Sequence, residues 1–196
     1  KNNIIGWIPQ DPRNFLNPFW KINRFFKESF ALINNHNDNS NFIDLDTFIE
    51  YYLSQVDLNY GDIKDKYPHE MSGGECQRVM IAFILSKNPN FIIADETTTG
   101  LDVSRQKKVI DLFKSIKKNN PELTIIFVSH DFGFLDHVVD QYLVMYGGFL
   151  VEKINNKNRL KESKELLHPY TQDLLSRLFD DDKEENYDEL ASSVDL

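Results

Sequence analysis

The stretch Phe91-Ile92-Ile93-Ala94-Asp95-Glu96 decides the fold, because a short apolar run that ends in two acidic residues is typical of a strand buried in a sheet. A helical pattern precedes it from Gly74 to about Ser86, and another follows it after Asp102. A second apolar strand is predicted from Leu123 to Ser129. Strands that alternate with helices of about 10–15 residues indicate parallel strands joined by crossover helices. The sequence therefore predicts an α/β protein with a mostly parallel sheet.

The acidic pair Asp95-Glu96 stands at the carboxyl end of its strand, which is where open parallel sheets bind their ligands. There Asp95 can hold Mg²⁺, usually through water, and Glu96 can orient or deprotonate an attacking water. The alternative is a strand that ends in two acids simply because acidic residues are common in turns. The pair by itself does not decide between these alternatives.

The segment Ser72-Gly73-Gly74 opens the helix that precedes this strand. Backbone N–H groups at a helix N-terminus attract anions, glycines allow a phosphate to come close, and the Ser72 hydroxyl adds a donor. The alternative is a plain N-cap with a flexible lead-in. Two consecutive glycines cost backbone entropy, which favours a phosphate site over a simple cap.

Three further polar residues stand where strands end or helices begin. His130 follows the second apolar strand and is predicted to face the same crevice as the acidic pair, where it could donate to a phosphate; the alternative is a histidine satisfied beside a helix start. Gln10 ends a first short strand, and its amide can contact Mg²⁺ and water while Pro9 and Pro12 stiffen its flanks. Asp102 has the position of a helix N-cap.

The sequence resembles the ATP-binding subunits of ABC transporters in five motifs that occur in the family's order. These are the Q-loop at Gln10, the signature at residues 71–75, the Walker B strand at residues 91–96, the D-loop at Leu101-Asp102 and the H-loop at His130. The resemblance covers residues 4 to about 176. It implies a P-loop NTPase-like, mostly parallel sheet with an inserted helical subdomain, and ATP and Mg²⁺ as cofactors.

The resemblance also implies a role for each candidate residue in a head-to-tail dimer that hydrolyses ATP at its interface. Glu96 would polarise the attacking water, His130 would contact the γ-phosphate, and Asp95 and Gln10 would bind Mg²⁺. The signature of one subunit would face the nucleotide of the other. The implied nucleotide-binding residues are Gln10, Ser72, Gly73, Gly74, Glu75 and Asp102.

Local details resemble the peptide-importing branch of the family. They are Gln10-Asp11-Pro12 with Leu16-Asn17-Pro18, Tyr67-Pro68-His69-Glu70, and His168-Pro169-Tyr170-Thr171, while Cys76-Gln77-Arg78 is more similar to the second of two paired oligopeptide subunits. The branch implies a second ATPase subunit, identical or different, two membrane permeases and, indirectly, a substrate-binding protein. The expected location is the cytoplasmic face of the membrane, as a peripheral subunit.

The sequence departs from the family pattern in three places. Glu75 stands where Gln is commonest, and Thr97 stands where Pro is usual. No G-x-x-x-x-G-K-[ST] phosphate loop occurs in the sequence. In the family this loop lies upstream of the Q-loop, so we predict that the sequence starts after it. We also predict that these residues alone hydrolyse no ATP.

Two alternative functions remain: a soluble ABC ATPase of DNA repair or translation, and a non-catalytic subunit that lends its signature to a partner.

Finer elements are also predicted from the pattern. Asp46 is predicted to cap a helix that ends near Gly61, and the polar run Asn34–Asn41 is predicted to be a loop. Gly147-Gly148 are predicted to join two strands of a hairpin, and helices are predicted over residues 161–167 and 170–179.

The predicted organisation has four parts: residues 1–19 as the Q-loop strand and loop, 20–70 as a helical subdomain, 71–179 as the signature helix and α/β core, and 180–196 as an acidic, disordered tail. The net charge of −9 comes mostly from that tail, which holds eight acidic residues and one basic residue.

Nucleic acid is not an expected partner, because no basic face is apparent. The single cysteine, Cys76, excludes an internal disulfide and a cysteine-only metal site. No apolar stretch approaches the ~20 residues that span a bilayer.

Overall fold

The structure is a computed structural model that describes residues 4–36, 44–155 and 168–181. The chain divides into two compact units, Lys1–Phe134 and Leu135–Leu196. The first unit contains a three-stranded sheet and the helices around it, and the second contains a two-stranded hairpin. Every site residue predicted from the sequence falls in the first unit.

The helices that precede the second strand are α1 (Ile22–His36), α2 (Leu45–Ser54), α3 (Tyr60–Ile63) and α4 (Gly73–Leu85). Their apolar faces pack through aromatic rings. Phe30 of α1 lies edge-to-face with Phe48 of α2 at a centroid distance of 5.3 Å, and Phe26 of α1 contacts Phe83 of α4 at 5.9 Å. Helices α1, α2 and α4 therefore share one core, in which Phe26 and Phe48 are fully buried.

The structure corrects three sequence-based expectations in this region. Asp46 was expected to cap α2, but Asp44 is the N-cap: its Oδ1 accepts a hydrogen bond from the Thr47 N–H at 2.8 Å, and Asp46 lies in the first turn. That helix was expected to reach Gly61, but it ends at Ser54, and α3 is a separate short helix. The polar run from Asn34 was expected to be a loop, but α1 continues through His36; residues 37–41 of that run lie outside the described residues.

The sheet of the first unit is parallel and has the order β1 (Ile5–Ile8), β2 (Phe91–Asp95), β3 (Thr124–Val128). Helix α5 (Val103–Asn119) is the crossover between β2 and β3, and α6 (Phe132–Val138) follows β3. The predicted α/β class with parallel strands is thus confirmed. Because the strands are parallel, their carboxyl ends meet at one edge of the sheet.

Within the described residues this sheet is buried on one face, whereas the apolar composition of its strands predicts that they are covered on both faces. Ile92 and Ala94 of β2 point to the buried face, with exposures of 0% and 1%. Side chains alternate between the two faces of a strand, so their neighbours point the other way. On that opposite face Trp7, Ile126 and Val128 are each close to half exposed. Apolar composition alone therefore overstated how much of each strand is buried within the described residues.

Gly6 of β1 lets helix α4 approach the sheet closely. A Cβ atom at this position would lie 2.2 Å from Cγ2 of Ile84, so a larger residue must push the helix or the Ile84 side chain aside. We expect Gly6→Ala to lower the free energy of unfolding by about 1–3 kcal/mol, measured by urea denaturation. In Gly73→Ala the new Cβ would meet nothing within 4 Å, so its expected change is within about 0.5 kcal/mol. Equal stability of the two variants would contradict the close packing at Gly6.

The second unit contains the predicted hairpin, with strands β4 (Tyr142–Tyr146) and β5 (Phe149–Ile154) paired antiparallel. Gly147 and Gly148 connect them with φ values of +56° and +83°, as a two-residue turn of this kind requires. Helix α7 (Pro169–Asp181) corresponds to the helix predicted over residues 170–179, and it includes the first two acids of the predicted tail. The helix predicted over 161–167 and the tail from 182 onward lie outside the described residues.

Among all the helices that the structure describes, none has the length and apolar character of a membrane span.

Candidate nucleotide-hydrolysis site

The carboxyl edge of the parallel sheet brings together the loops that carry four of the predicted site residues. Asp95 is the last residue of β2 and pairs in register with Val128, and the Glu96 N–H donates to the Val128 carbonyl at 2.8 Å. His130 follows two residues after β3, and Gln10 two residues after β1. The parallel pairing thus places Asp95, Glu96 and His130 side by side, as the sequence predicted.

Glu96 is held by hydrogen bonds at both carboxylate oxygens. Its Oε1 lies 3.0 Å from Nδ1 of His130, and its Oε2 accepts a hydrogen bond from the Thr99 hydroxyl at 2.6 Å. The backbone of Glu96 has φ +48°, the left-handed region that non-glycine residues seldom adopt. This backbone conformation is strained and starts a tight turn, in which the Thr99 N–H donates to the Glu96 carbonyl.

These contacts keep Glu96 charged and favour a protonated His130. The Thr99 hydroxyl, and after it His130, lower the pKa of Glu96 from its ordinary value because both hydrogen-bond the ionised carboxylate. The hydrogen bond that the His130 ring donates to Glu96, and then the negative charge of Glu96, raise the pKa of His130. The arrangement therefore supplies an ionised carboxylate, which can accept a proton from water, beside an imidazole, which can donate to an anion.

We expect an NMR titration of the His130 ring to give a pKa above the ordinary value, and Glu96→Gln to lower it. The raised pKa of His130 means that its contribution to folding is lost as the pH rises through the folded-state pKa. The lowered pKa of Glu96 means that its contribution is lost as the pH falls through its own folded-state pKa. Between the two the pair stabilises the fold, but only slightly, because the His130 side chain is 78% exposed.

The matched control for this titration is Glu122→Gln, the same change at an exposed turn before β3, at the strand end away from His130. It is expected to leave the pKa of His130 where it is in the unmodified chain. If Glu96→Gln also leaves that pKa unchanged, the contact between the two side chains does not exist in solution.

Asp95 and Gln10 fit the role of Mg²⁺ ligands through their chemistry. Asp95 is half-buried and Gln10 is exposed, and within the described residues neither side chain makes a hydrogen bond. The residues that the structure describes contain no group of three or more His, Cys, Asp or Glu that could hold a metal ion by themselves. Mg²⁺ in phosphate-transfer sites is usually held by one or two carboxylates together with substrate phosphates and water, which such a pair of oxygen ligands suits.

The predicted phosphate-binding turn is an N-capped helix start. The Ser72 hydroxyl caps α4 by accepting a hydrogen bond from the Glu75 N–H at 3.2 Å, and the Glu75 carboxylate accepts one from the Ser72 N–H at 2.8 Å. These bonds, with Lys66 at 3.4 Å, lower the pKa of Glu75, the bond from the Ser72 N–H having the largest effect. Gly73 and Gly74 are exposed, with open space where a Cβ would stand. The helix start therefore has room for an anion and leaves the hydroxyl proton of Ser72 available, while the Glu75 carboxylate is engaged in the cap.

Asp102 is the N-cap of α5. Its Oδ1 accepts the Arg105 N–H at 2.9 Å, and its Oδ2 lies 3.2 Å from the Arg105 side chain. This is the capping position that the residue pattern alone indicated. The role of Asp102 at a dimer interface stays a prediction.

The structure adds residues that sequence reasoning missed. Arg13, in the 3-10 turn Pro12–Asn14 after β1, donates to the Met71 carbonyl directly before Ser72. Gln77 of α4 donates to the Thr97 carbonyl at 2.9 Å. Both ends of residues 71–77 are thus tied to loops at the carboxyl edge of the sheet. Thr99 lies at the third position after Glu96, the spacing that a tight turn brings together, but the residue types there do not show that the chain turns at this point.

Acids at the carboxyl edge of a parallel sheet, together with a glycine-bearing helix start, are typical of proteins that bind phosphate groups. The ABC transporter family model matches residues 1–99, and the chain belongs to this family. It is 38% identical over 176 residues to the oligopeptide transport ATP-binding protein OppD of Lactococcus lactis subsp. cremoris SK11, covering 89% of this chain and 50% of that protein. It is 40% identical over 172 residues to AppF, an oligopeptide transport ATP-binding protein of Bacillus subtilis 168, covering 88% of this chain and 50% of that protein.

Solved structures agree on the fold. CbiO1 from Clostridium perfringens, part of the ABC transporter complex cbiONQ, matches with a TM-score of 0.63 at 26% identity, covering 88% of this chain and 67% of that one. A dimeric post-hydrolysis state of the cassette MJ0796, bound to ADP and Pi, matches with a TM-score of 0.61 at 23% identity, covering 78% and 63%. The chain spans about half the length of the curated relatives it matches.

Proposed function

We propose that this chain is part of the ATP-binding subunit of an importer that couples ATP hydrolysis to peptide uptake. The observation that carries the proposal is the contact between Glu96 and His130, beside Asp95, at the carboxyl edge of the parallel sheet. Relatives that carry oligopeptide transport in their names support the substrate class. The 196 residues, which contain no Gly-Lys phosphate loop, are proposed to hydrolyse no ATP by themselves.

The reaction assigns a separate task to each polar group of the edge. Glu96 accepts a proton from water, and His130, whose Nδ1 faces Glu96, has its Nε2 available to donate to a γ-phosphate oxygen. Asp95 and Gln10 would hold Mg²⁺, which supplies charge neutralisation between the phosphates when bound. The protein forms no covalent bond to the substrate in this reaction. Positioning of the reactants and stabilisation of charge therefore supply most of the rate enhancement.

The same proposal places two copies of the nucleotide site in a head-to-tail dimer, with an identical or a second ATPase subunit. Ser72, Gly73 and Gly74, together with Glu75, serve the nucleotide of the partner, while Gln10, Asp95, Glu96 and His130 serve the chain's own. Asp102 lies at the interface. Closure of the dimer on ATP and its reopening after hydrolysis drive two membrane permeases. The permeases contact residues 20–65 of the helical subdomain from the cytoplasmic side.

Peptide uptake by cells tests this function. We expect cells that lack the gene to lose uptake of labelled oligopeptides and to keep uptake of free amino acids. The full-length protein should restore peptide uptake and co-purify with two permeases from detergent-solubilised membranes. Normal peptide uptake in the deletion strain, together with a protein that purifies without permeases, would favour a soluble ABC ATPase instead.

A further inference from the structure

We propose that Thr99 is a positioning residue for Glu96. Its hydroxyl stays hydrogen-bonded to Oε2 throughout the reaction, which leaves Oε1 as the oxygen that contacts the attacking water. The inference rests on the proposed function, because it assigns a task to one atom of the proposed base. It concerns a residue of the turn after β2 that no motif of the sequence analysis assigned to chemistry.

The two hydrogen-bond partners of Glu96 differ in how firmly they are attached to it. Thr99 belongs to the same turn, where its hydroxyl lies 2.6 Å from Oε2 and its backbone N–H lies 3.3 Å from the Glu96 carbonyl. His130 comes from the loop after another strand, and its side chain is 78% exposed, against 25% for Glu96. Thr99 therefore moves with Glu96, whereas His130 can leave without disturbing the turn.

The turn that carries Thr99 is itself anchored. Thr97 and Thr98, between Glu96 and Thr99, are buried at 7% and 3% exposure. The Thr97 carbonyl is held by the Gln77 side chain of α4 at 2.9 Å. Because the turn is held in place, the Thr99 hydroxyl keeps a fixed position beside Glu96. A donor in a fixed position can orient a flexible carboxylate.

The two carboxylate oxygens differ in access to water. The Thr99 hydroxyl stays on Oε2, whereas Oε1 loses its partner when His130 turns toward a phosphate, so the proposal assigns the proton from water to Oε1. The water proton passes to Oε1 as the water oxygen bonds to the γ-phosphorus and the bond from that phosphorus to the ADP oxygen breaks. In this proposal Thr99 contacts neither the attacking water nor the nucleotide, and its effect reaches the reaction through Glu96 alone.

The test compares Thr99→Val, which removes the hydroxyl at nearly constant shape, with Thr99→Ser, which retains it, in the full-length assembled protein. We expect Thr99→Val to lower kcat about tenfold with KM for ATP unchanged, and Thr99→Ser to stay close to wild type. ATP-driven dimerisation, read by light scattering, should persist in both variants. The control Thr124→Val makes the same change at the amino end of β3, where the side chain is exposed, and is expected to leave kcat unchanged.

A double variant separates this inference from the proposed function. If Thr99 acts only through Glu96, adding Thr99→Val to Glu96→Gln produces no further loss of turnover. A normal kcat for Thr99→Val beside an inactive Glu96→Gln would overturn the inference and leave the proposed function standing. Normal turnover of Glu96→Gln would overturn both. A Thr99→Ser variant as slow as Thr99→Val would show that the hydroxyl is not what matters.

Discussion

In the full-length protein, Glu96→Gln is expected to lower the turnover of ATP by a factor of about 10²–10⁴, the range that a positioned general base contributes. The amide keeps the shape of the side chain and can still contact Thr99 and His130, but it cannot take a proton from water. Binding of ATP does not require that proton transfer. The variant is therefore expected to form the ATP-driven dimer and to remain in it, as seen by light scattering with and without ATP.

The control is Glu122→Gln, which makes the same chemical change at an exposed turn at the opposite end of β3. It should hydrolyse ATP at the unmodified rate. If Glu96→Gln hydrolyses ATP as fast as this control, Glu96 is not the base. If it loses both turnover and ATP-driven dimerisation, the side chain is needed for binding or folding rather than for the proton transfer.

The features that could be predicted from the sequence are those set by local pattern and by strand direction. Asp95 and His130 meet at one edge because Asp95 ends one apolar strand, His130 follows the next, and parallel strands end together. The cap at Ser72 follows from its place before a helix, and the structure adds its exchange of hydrogen bonds with Glu75.

The features that could not be predicted depend on where the chain turns or on what covers a surface. Asp44 and Asp46 are equally suitable caps, and Asp44 caps because its backbone, at φ −145° and ψ 169°, is still extended when the helix begins. The hydrogen bond between Thr99 and Glu96 depends on the left-handed backbone conformation of Glu96, which the residue type does not predict. The exposed face at Ile126 depends on what packs there, whereas composition shows only that the strand is apolar.

Gly73→Asp is the second change with a large expected effect, because it places a carboxylate where a phosphate of the partner's nucleotide would approach. The protein has room for it, since nothing lies within 4 Å of a Cβ at this position, and an acid in the first turn favours the helix. We therefore expect unchanged or raised stability in urea, with turnover and ATP-driven dimerisation both lost. Asn59→Asp, which adds the same charge at the N-cap of α3, is the control and should retain activity.

Mixing two inactive full-length variants then tells which nucleotide each half-site serves. In a head-to-tail dimer of one Gly73→Asp copy and one Glu96→Gln copy, one site combines the intact Glu96 of the first with the intact signature of the second, while the other site has neither. When equal amounts of the two variants are assembled with the permeases, so that pairing is random and does not depend on ATP, roughly a quarter of the wild-type turnover should return, because half of the dimers are mixed and each has one working site. Turnover no higher than that of the separate variants would contradict the arrangement, and would mean that Gly73 and Glu96 act on one nucleotide within one chain or that two copies do not pair.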